Sequence, residues 1–231
     1  MSDLTGSQNK TAKNDKYIRY FWEVSNKKIG ISKKWVFYAK RGKYRKYYGN
    51  LNLIVNWSRD ARNFYKNNKT SNLLNEKYWF KEGITYTKVS SIRPTFRYLP
   101  PYCVFDMGGP SICYLHNNLN YILGFLNSKI SNLYLNILNP TINIQTRDIK
   151  LLPIIIDDKY KRKIEILVRE NIQICKNDWD DYETSWNFKT HPLIKFKEST
   201  LQKSFDKWKE HKNNYFHTIY EISYLYHKQP I

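Results

Sequence analysis

The densest set of groups able to engage a charged partner lies between residues 40 and 50. Lys40, Arg41, Lys43, Arg45 and Lys46 place five cations in seven positions, interleaved with Tyr44, Tyr47 and Tyr48 and flanked by Gly42 and Gly49. Ammonium and guanidinium groups neutralise phosphates, and an arginine fork also matches the edge of guanine. Tyrosine rings among them suit stacking on bases or sugars, and the glycines allow close backbone approach. A solvated, charged hairpin fits the same residues. Arg59 and Arg62, at helical spacing after Trp57, form a second group, and Lys88, Arg93 and Arg97, ahead of Pro100, form a third. If their strands share one sheet, the three groups line one groove.

The balance of charge supports a polyanionic partner. The chain of 231 residues carries 39 Lys and Arg against 20 Asp and Glu, a net charge of +19. An AT-rich gene favours lysine, asparagine, isoleucine and tyrosine, but such bias acts evenly along a chain. Here residues 1–100 hold 22 Lys and Arg against 6 Asp and Glu, while residues 101–231 hold 17 against 14. A basic half joined to a nearly neutral half fits a face built for nucleic acid, with double-stranded DNA the expected partner. A membrane surface and codon bias are the competing explanations.

Other chemistry has little to stand on. Cys103, Cys113 and Cys175 are odd in number and lack metal-ligand spacing, which argues against zinc and fits a reducing, cytoplasmic compartment. Asp157-Asp158 and Asp178, Asp180 and Asp181 are the acidic clusters a nuclease would need, but Asp178-Trp179-Asp180-Asp181 suits a helix end better. His116, His191, His211, His217 and His227 are scattered singly, and His211 and His217 are expected in solvent. Met1 to Lys16 is polar, without a secretory apolar run, and Leu151 to Ile156 is too short to cross a bilayer.

The elements that must position these groups are an α/β (α+β) mixture. Trp35–Tyr38, Leu53–Trp57, Tyr78–Phe80, Phe96–Tyr98 and Cys103–Phe105 are short aromatic and β-branched runs, separated by Gly, Asn, Ser and Pro, that predict strands. Gly108-Gly109-Pro110 predicts a turn. Leu119, Ile122, Leu126, Ile130, Leu133 and Ile137 recur at steps of three and four, predicting one helix that Asn139-Pro140 stops. Leu151–Ile156 predicts a buried strand, Lys159–Asn177 a helix with Ile164, Leu167, Val168, Ile172 and Cys175 inward, and residues 178–192 an irregular Trp-rich connector. Leu201, Phe205, Trp208, Lys212, Tyr215, Ile219, Ile222 and Tyr226 form a heptad seam on a helix of about 40 Å. It suits the chain's own domain and a partner helix equally.

Several ordered blocks resemble one family. They are Phe80-Lys81-Glu82-Gly83-Ile84-Thr85-Tyr86, then Phe96-Arg97-Tyr98-Leu99-Pro100, then Phe105-Asp106-Met107-Gly108-Gly109-Pro110-Ser111-Ile112. Leu123-Gly124-Phe125-Leu126-Asn127-Ser128-Lys129, Ile137-Leu138-Asn139-Pro140-Thr141-Ile142-Asn143-Ile144-Gln145 and Glu183-Thr184-Ser185-Trp186-Asn187-Phe188 continue the likeness, which runs from about Thr5 to Tyr226. Together they resemble the C-terminal specificity region of the BREX phage-defence adenine-specific DNA methyltransferases (PglX), of the TaqI-like specificity-domain class. The polar stretch 1–16 is expected to be a flexible lead-in, and the resemblance implies a mixed-sheet target-recognition domain, taken over 17–156, followed by a helical region over 157–231. It implies recognition of a short DNA sequence for N6-adenine methylation. In that family a separate N-terminal domain binds S-adenosylmethionine, so no cofactor site is expected here and a catalytic methyltransferase subunit or other defence-complex protein is the expected partner. The family's catalytic Asn/Asp-Pro-Pro-Tyr/Phe motif is only mimicked by Leu99-Pro100-Pro101-Tyr102, where leucine cannot accept the hydrogen bond of an amino group. Thr146-Arg147 replaces a small pair usual in the family, and Arg147 adds a candidate phosphate contact. A sequence-specific DNA-binding module is therefore expected, with Arg45, Arg93 and Arg97 as candidate base readers. A protein-interaction module docking through the Leu201–Tyr226 seam is the alternative.

Overall fold

The computed structural model describes residues 3–4, 8–90 and 93–227, with side chains for 8–90 and 93–220. Eight strands appear among them: β1 (Asp3–Leu4), β2 (Ile18–Tyr20), β3 (Trp35–Ala39), β4 (Leu53–Asn56), β5 (Gly83–Tyr86), β6 (Phe96–Leu99), β7 (Cys103–Phe105) and β8 (Ser111–Cys113). They form two four-stranded sheets, ordered β1-β8-β5-β6 and β2-β4-β3-β7. The first is antiparallel throughout, while in the second β3 and β7 run parallel, so the α+β expectation holds. Every residue of β5, β7 and β8 is buried, the pattern of strands covered on both faces.

The helices are α1 (Asn14–Tyr17), α2 (Arg59–Asn67), α3 (Leu119–Leu126), α4 (Lys129–Leu138), α5 (Thr146–Lys150), α6 (Asp158–Asp180), α7 (Pro192–Lys195) and α8 (Leu201–His227). Ile84, Tyr86, Phe96 and Ile112 of the first sheet meet Leu123, Leu135, Ile149, Ile164 and Val168 from α3 to α6. On the second sheet, Val36, Tyr38, Val55 and Val104 pack under Ala61 and Tyr65 of α2. The other face of that sheet carries Phe37, Cys103 and Phe105 against Trp179, near the end of α6. Burial of each such side chain contributes roughly 1.5–3 kcal/mol. One long helix thus serves the cores of both sheets.

Four expectations need correcting. Tyr78–Phe80 is not a strand: Asn75 caps a short 3-10 turn at Glu76–Tyr78, and Trp79 folds back to donate from Nε1 to the carbonyl of Leu74 at 2.8 Å. The helix expected over 119–137 is two helices. Asn127 leaves the helical path to bond both the N–H and the carbonyl of Phe96, at 3.2 and 2.9 Å, and Ser128 caps α4 through Ser131 N. The break resets the helical phase, so Leu135 is buried while Leu133 and Ile137 are 60 % and 70 % exposed. Leu151–Ile156 forms no strand: Leu152 and Ile154 turn into the core shared with α3 to α6, while Leu151, Ile155 and Ile156 are exposed. Residues 8–16 are not a loose lead-in either: the side chain of Asn9 is buried, donating to Phe105 O at 3.1 Å and accepting from Leu74 N at 2.9 Å. Expectations on residues 1–2, 5–7 and 228–231 lie outside the described residues.

The seam of α8 is used by the chain itself: Trp208, Lys212, Tyr215 and Ile219 are half-buried on the side that meets α6, while Leu201 and Phe205 are exposed. Ile222 and Tyr226 have side chains outside the described set.

Candidate nucleic-acid interface

The 40–50 segment is an irregular loop, not a hairpin. It leaves β3 at Ala39 and joins the free edge of β6, where Tyr47 N donates to Phe96 O at 2.9 Å and Tyr98 N to Tyr47 O at 2.8 Å. Beyond the second anchor, Asn50 Nδ2 reaches back to the carbonyl of Lys43 at 2.9 Å. Gly49 adopts φ +126°, and a Cβ there would lie 2.7 Å from Arg45 Cδ and 3.2 Å from Trp179. Its lack of a side chain serves close packing within the protein, not approach to a ligand.

Pairing divides the cations of this loop. Lys40 Nζ lies 3.3 Å from Asp106, whose carboxylate also accepts from Tyr38 OH at 2.8 Å and Gly108 N at 2.7 Å. Arg45 donates to Asp178 at 2.9 Å and its guanidinium lies 4.9 Å from the Trp179 ring. Asp178 and Asp181 also hold Lys212 of α8, at 2.8 and 2.9 Å, and Asp181 binds Lys195 at 2.7 Å. Burial alone lowers the Lys212 pKa, but bonds to the two carboxylates carry it above its ordinary value. Lys46 donates to Asn127 O at 3.0 Å, and burial, then the charge of Arg93, lowers its pKa. Arg41 and Lys43 remain exposed.

The second group lies elsewhere. Trp35 pairs with Asn56, so Arg59 and Arg62 follow the end of the β3–β4 ladder at which β3 begins, whereas Lys40 follows the end at which β3 finishes. Arg62 bonds Trp57 O and covers the Trp79 ring, while Arg59 is exposed. The third group sits on the other sheet and is itself split. Arg93 is exposed and Lys88 half-buried, but Arg97 is 1 % exposed. Its NH1 donates to Thr87 Oγ1 and Thr95 Oγ1, both at 3.1 Å, and burial brings its pKa down to about 10. Its Nε and NH2 have no hydrogen-bond partner among the described residues. A guanidinium enclosed in this way presents no donor at the surface, so Arg97 does not read bases in this structure. The loop of the first group adjoins β6 and the third group, whereas the second lies apart, so the three do not line one groove.

A site not picked out as a unit in the sequence lies beside the Met107–Pro110 turn. Segment 142–145 runs along residues 88–90, with Ile144 N bonded to Lys88 O at 2.9 Å and Ser90 N to Ile142 O at 3.0 Å. Gln8, Lys88, Pro110, Gln145, Thr146 and Arg147 line a cleft of about 430 Å³. Arg41 reaches the same turn, since a Cβ on Gly108 would lie 3.6 Å from its Cβ. Nothing local in the sequence signals that the residues after α4 lie alongside those after β5.

His211 is also placed differently from expectation: it is packed between Phe196 and Tyr215, with ring centroids 4.8 and 4.3 Å away, rather than solvated. Leu99 is fully buried ahead of a turn at Pro101-Tyr102. Among the described residues no group of three or more His, Cys, Asp or Glu side chains is placed to hold a metal ion, and no helix is long and apolar enough to cross a membrane.

The solved structure of the Type IIL restriction-modification enzyme MmeI in complex with DNA superposes with a TM-score of 0.52 over 98 % of this chain and 34 % of that one, at 12 % identity, a likeness of fold alone. In sequence the chain is homologous to adenine-specific methyltransferases of the BREX type. It is 36 % identical over 190 residues to the adenine-specific methyltransferase BrxX of Escherichia coli O9:H4 (strain HS), covering 79 % of this chain and 15 % of that protein. It is 28 % identical over 230 residues to the adenine-specific methyltransferase PglX of Lacticaseibacillus casei (strain Zhang), covering 90 % and 19 %. The chain therefore spans less than a fifth of these curated relatives. No family model matches it.

Proposed function

We propose that this chain is the target-recognition module of an adenine-specific (N6) DNA methyltransferase of a phage-defence or restriction-modification system. It binds duplex DNA in the cytoplasm and relies on a catalytic region or subunit for S-adenosylmethionine and the flipped adenine. The observation that carries this reading is the homology to BrxX over 190 residues. The DNA-bound state of MmeI, whose fold this chain shares, supports it. So do the candidate cations whose side chains keep solvent access and have neither a carboxylate nor another hydrogen-bond partner among the described residues: Arg41, Lys43, Arg59, Lys88 and Arg93 supply phosphate contacts. Arg45, Lys40 and Arg62 act mainly within the fold.

The test is binding to random-sequence duplex DNA over a salt series. Arg41→Glu with Lys43→Glu is expected to weaken binding about tenfold or more and to flatten the salt slope. Binding no stronger than that of an unrelated protein of equal charge at moderate salt sinks the proposal. A contact with the catalytic partner is favoured by one further observation: Leu133, Ile137, Ile142, Leu151 and Ile155 are all exposed within one stretch of chain.

A further inference from the structure

Two of the three arginines singled out for base reading are committed inside the protein, Arg45 to Asp178 and Trp179 and Arg97 to its enclosing threonines. The cleft beside the Met107–Pro110 turn offers different groups. We propose that it receives the edge of a base pair of duplex DNA, with Gln145 and Arg147 as specificity-determining residues. This rests on the DNA-recognition reading above and names the part of the surface that discriminates sequence.

The lining chemistry distinguishes a base from a phosphate. A phosphate offers only acceptors, so cations and N–H groups suffice for it. A glutamine amide presents a donor and an acceptor in one plane, which matches N6 and N7 of adenine, and a guanidinium fork matches O6 and N7 of guanine. Both kinds of group meet here, with Gln145 next to Arg147 and Lys88 across from them. The side chain of Arg147 is 82 % exposed, and its carboxylate contact is a long one, 3.5 Å from Nε to Asp148. That carboxylate is already engaged by Asn139 Nδ2 at 2.6 Å and Gln145 N at 2.8 Å. The terminal nitrogens of Arg147 are thus left to face a ligand.

The backbone beneath these side chains is held in place. The same Asp148 carboxylate fixes Gln145, Ile144 is tied to Lys88, and Thr146 Oγ1 lies 3.3 Å from Tyr86 OH at the end of β5. Groups carried on a fixed frame discriminate better than groups on a loose loop. Lys88 and Arg41 flank the turn, where they are suited to hold the phosphates on either side of the base pair that is read.

The experiment selects the sequence preferred by the unaltered chain from a random duplex library. Binding of Gln145→Ala, Arg147→Ala, Arg147→Lys and Lys88→Ala is then measured on that duplex and on versions changed one base pair at a time. Gln145→Ala and Arg147→Ala are each expected to flatten the preference at one base pair by about tenfold to a hundredfold, with binding to unrelated duplex nearly kept. Arg147→Lys retains the charge and should lose the preference while holding overall affinity. Lys88→Ala should weaken all sequences alike. Preferences unchanged by the variants, or a loss uniform across sequences for Gln145→Ala and Arg147→Ala, overturn the assignment and leave the DNA-recognition reading standing. A chain that binds duplex with no preference also overturns it, and a chain that binds no duplex removes both readings. Melting curves of each variant separate loss of the site from loss of the fold.

Discussion

The Met107–Pro110 turn and the junction of α6 with α8 both receive cations from the same loop, yet they treat them in opposite ways. At the junction, Asp178 bridges Arg45 and Lys212 and Asp181 bridges Lys195 and Lys212, so each of these cations has a carboxylate partner and the ions tie a loop and two helices to α6. Beside the turn, Asp106 and Asp148 are buried and already occupied, so that Arg41 and Lys88 have no carboxylate partner among the described residues and Arg147 has only a contact of 3.5 Å to Asp148. Cations held by carboxylates serve the fold, and cations without them attract an anion. Five neighbouring cations in the sequence are thus two kinds of residue in the fold.

The largest test loads both regions at once. Buried tyrosines sit at each, with Tyr48 at the junction and Tyr86 by the cleft. Burial pushes Tyr86 up to about 12 and Tyr48 higher still. A phenol whose folded pKa is raised contributes stability that is intact below about pH 10 and lost as pH rises through the folded value. Arg97 acts with the opposite sign, because burial lowers its pKa to about 10, so its penalty is relieved above that pH. Several tyrosines outweigh one arginine, and denaturant titrations should show stability collapsing between about pH 10 and 12. A flat profile there would mean these phenols are not enclosed.

Arg97→Ala comes next, with a loss of about 3 kcal/mol from the cavity and the orphaned threonines. Arg97→Met fills the space without a charge and should cost much less. Neither should alter the salt slope of DNA binding once the protein is folded; a changed slope would place Arg97 among the contacts after all. Asp178→Asn should lower stability by about 1 kcal/mol, since the pair is partly exposed. It should also steepen the salt slope by releasing Arg45, and an unchanged slope would show that Trp179 alone holds that side chain. Smallest is Leu133→Ser with Ile137→Ser, expected to change the stability of the isolated chain by less than about 0.5 kcal/mol. A larger loss in its denaturation midpoint would mean that face of α4 is covered in this chain.

Where neighbours in sequence are neighbours in space, the elements could be anticipated. The cores of β3, β4, β6 and β7, the stop at Asn139-Pro140 and the long final helices follow from period and punctuation. The errors share a cause. Asn127 was hidden inside an apolar period because its partner, Phe96, lies 31 residues earlier. The run Leu151–Ile156 has strand composition, but Leu152 and Ile154 are taken up by the core shared with the helices α3 to α6. Gln145 carries no signal of its own in the sequence, since its alignment with Lys88 depends on the path of the chain after α4.

Composition alone determined the excess and uneven placement of positive charge, and ordered blocks of residues alone determined kinship with adenine-specific methyltransferases. Only the tertiary structure decided which cations remain available. Arg45 is neutralised by a carboxylate 133 residues away, and Arg97 is enclosed by Thr95 just before its own strand and Thr87 just after the adjoining one. The physical reason is that helical and strand periods act over a few residues, whereas ion pairing and desolvation depend on distance in space, which the folded path of the chain sets.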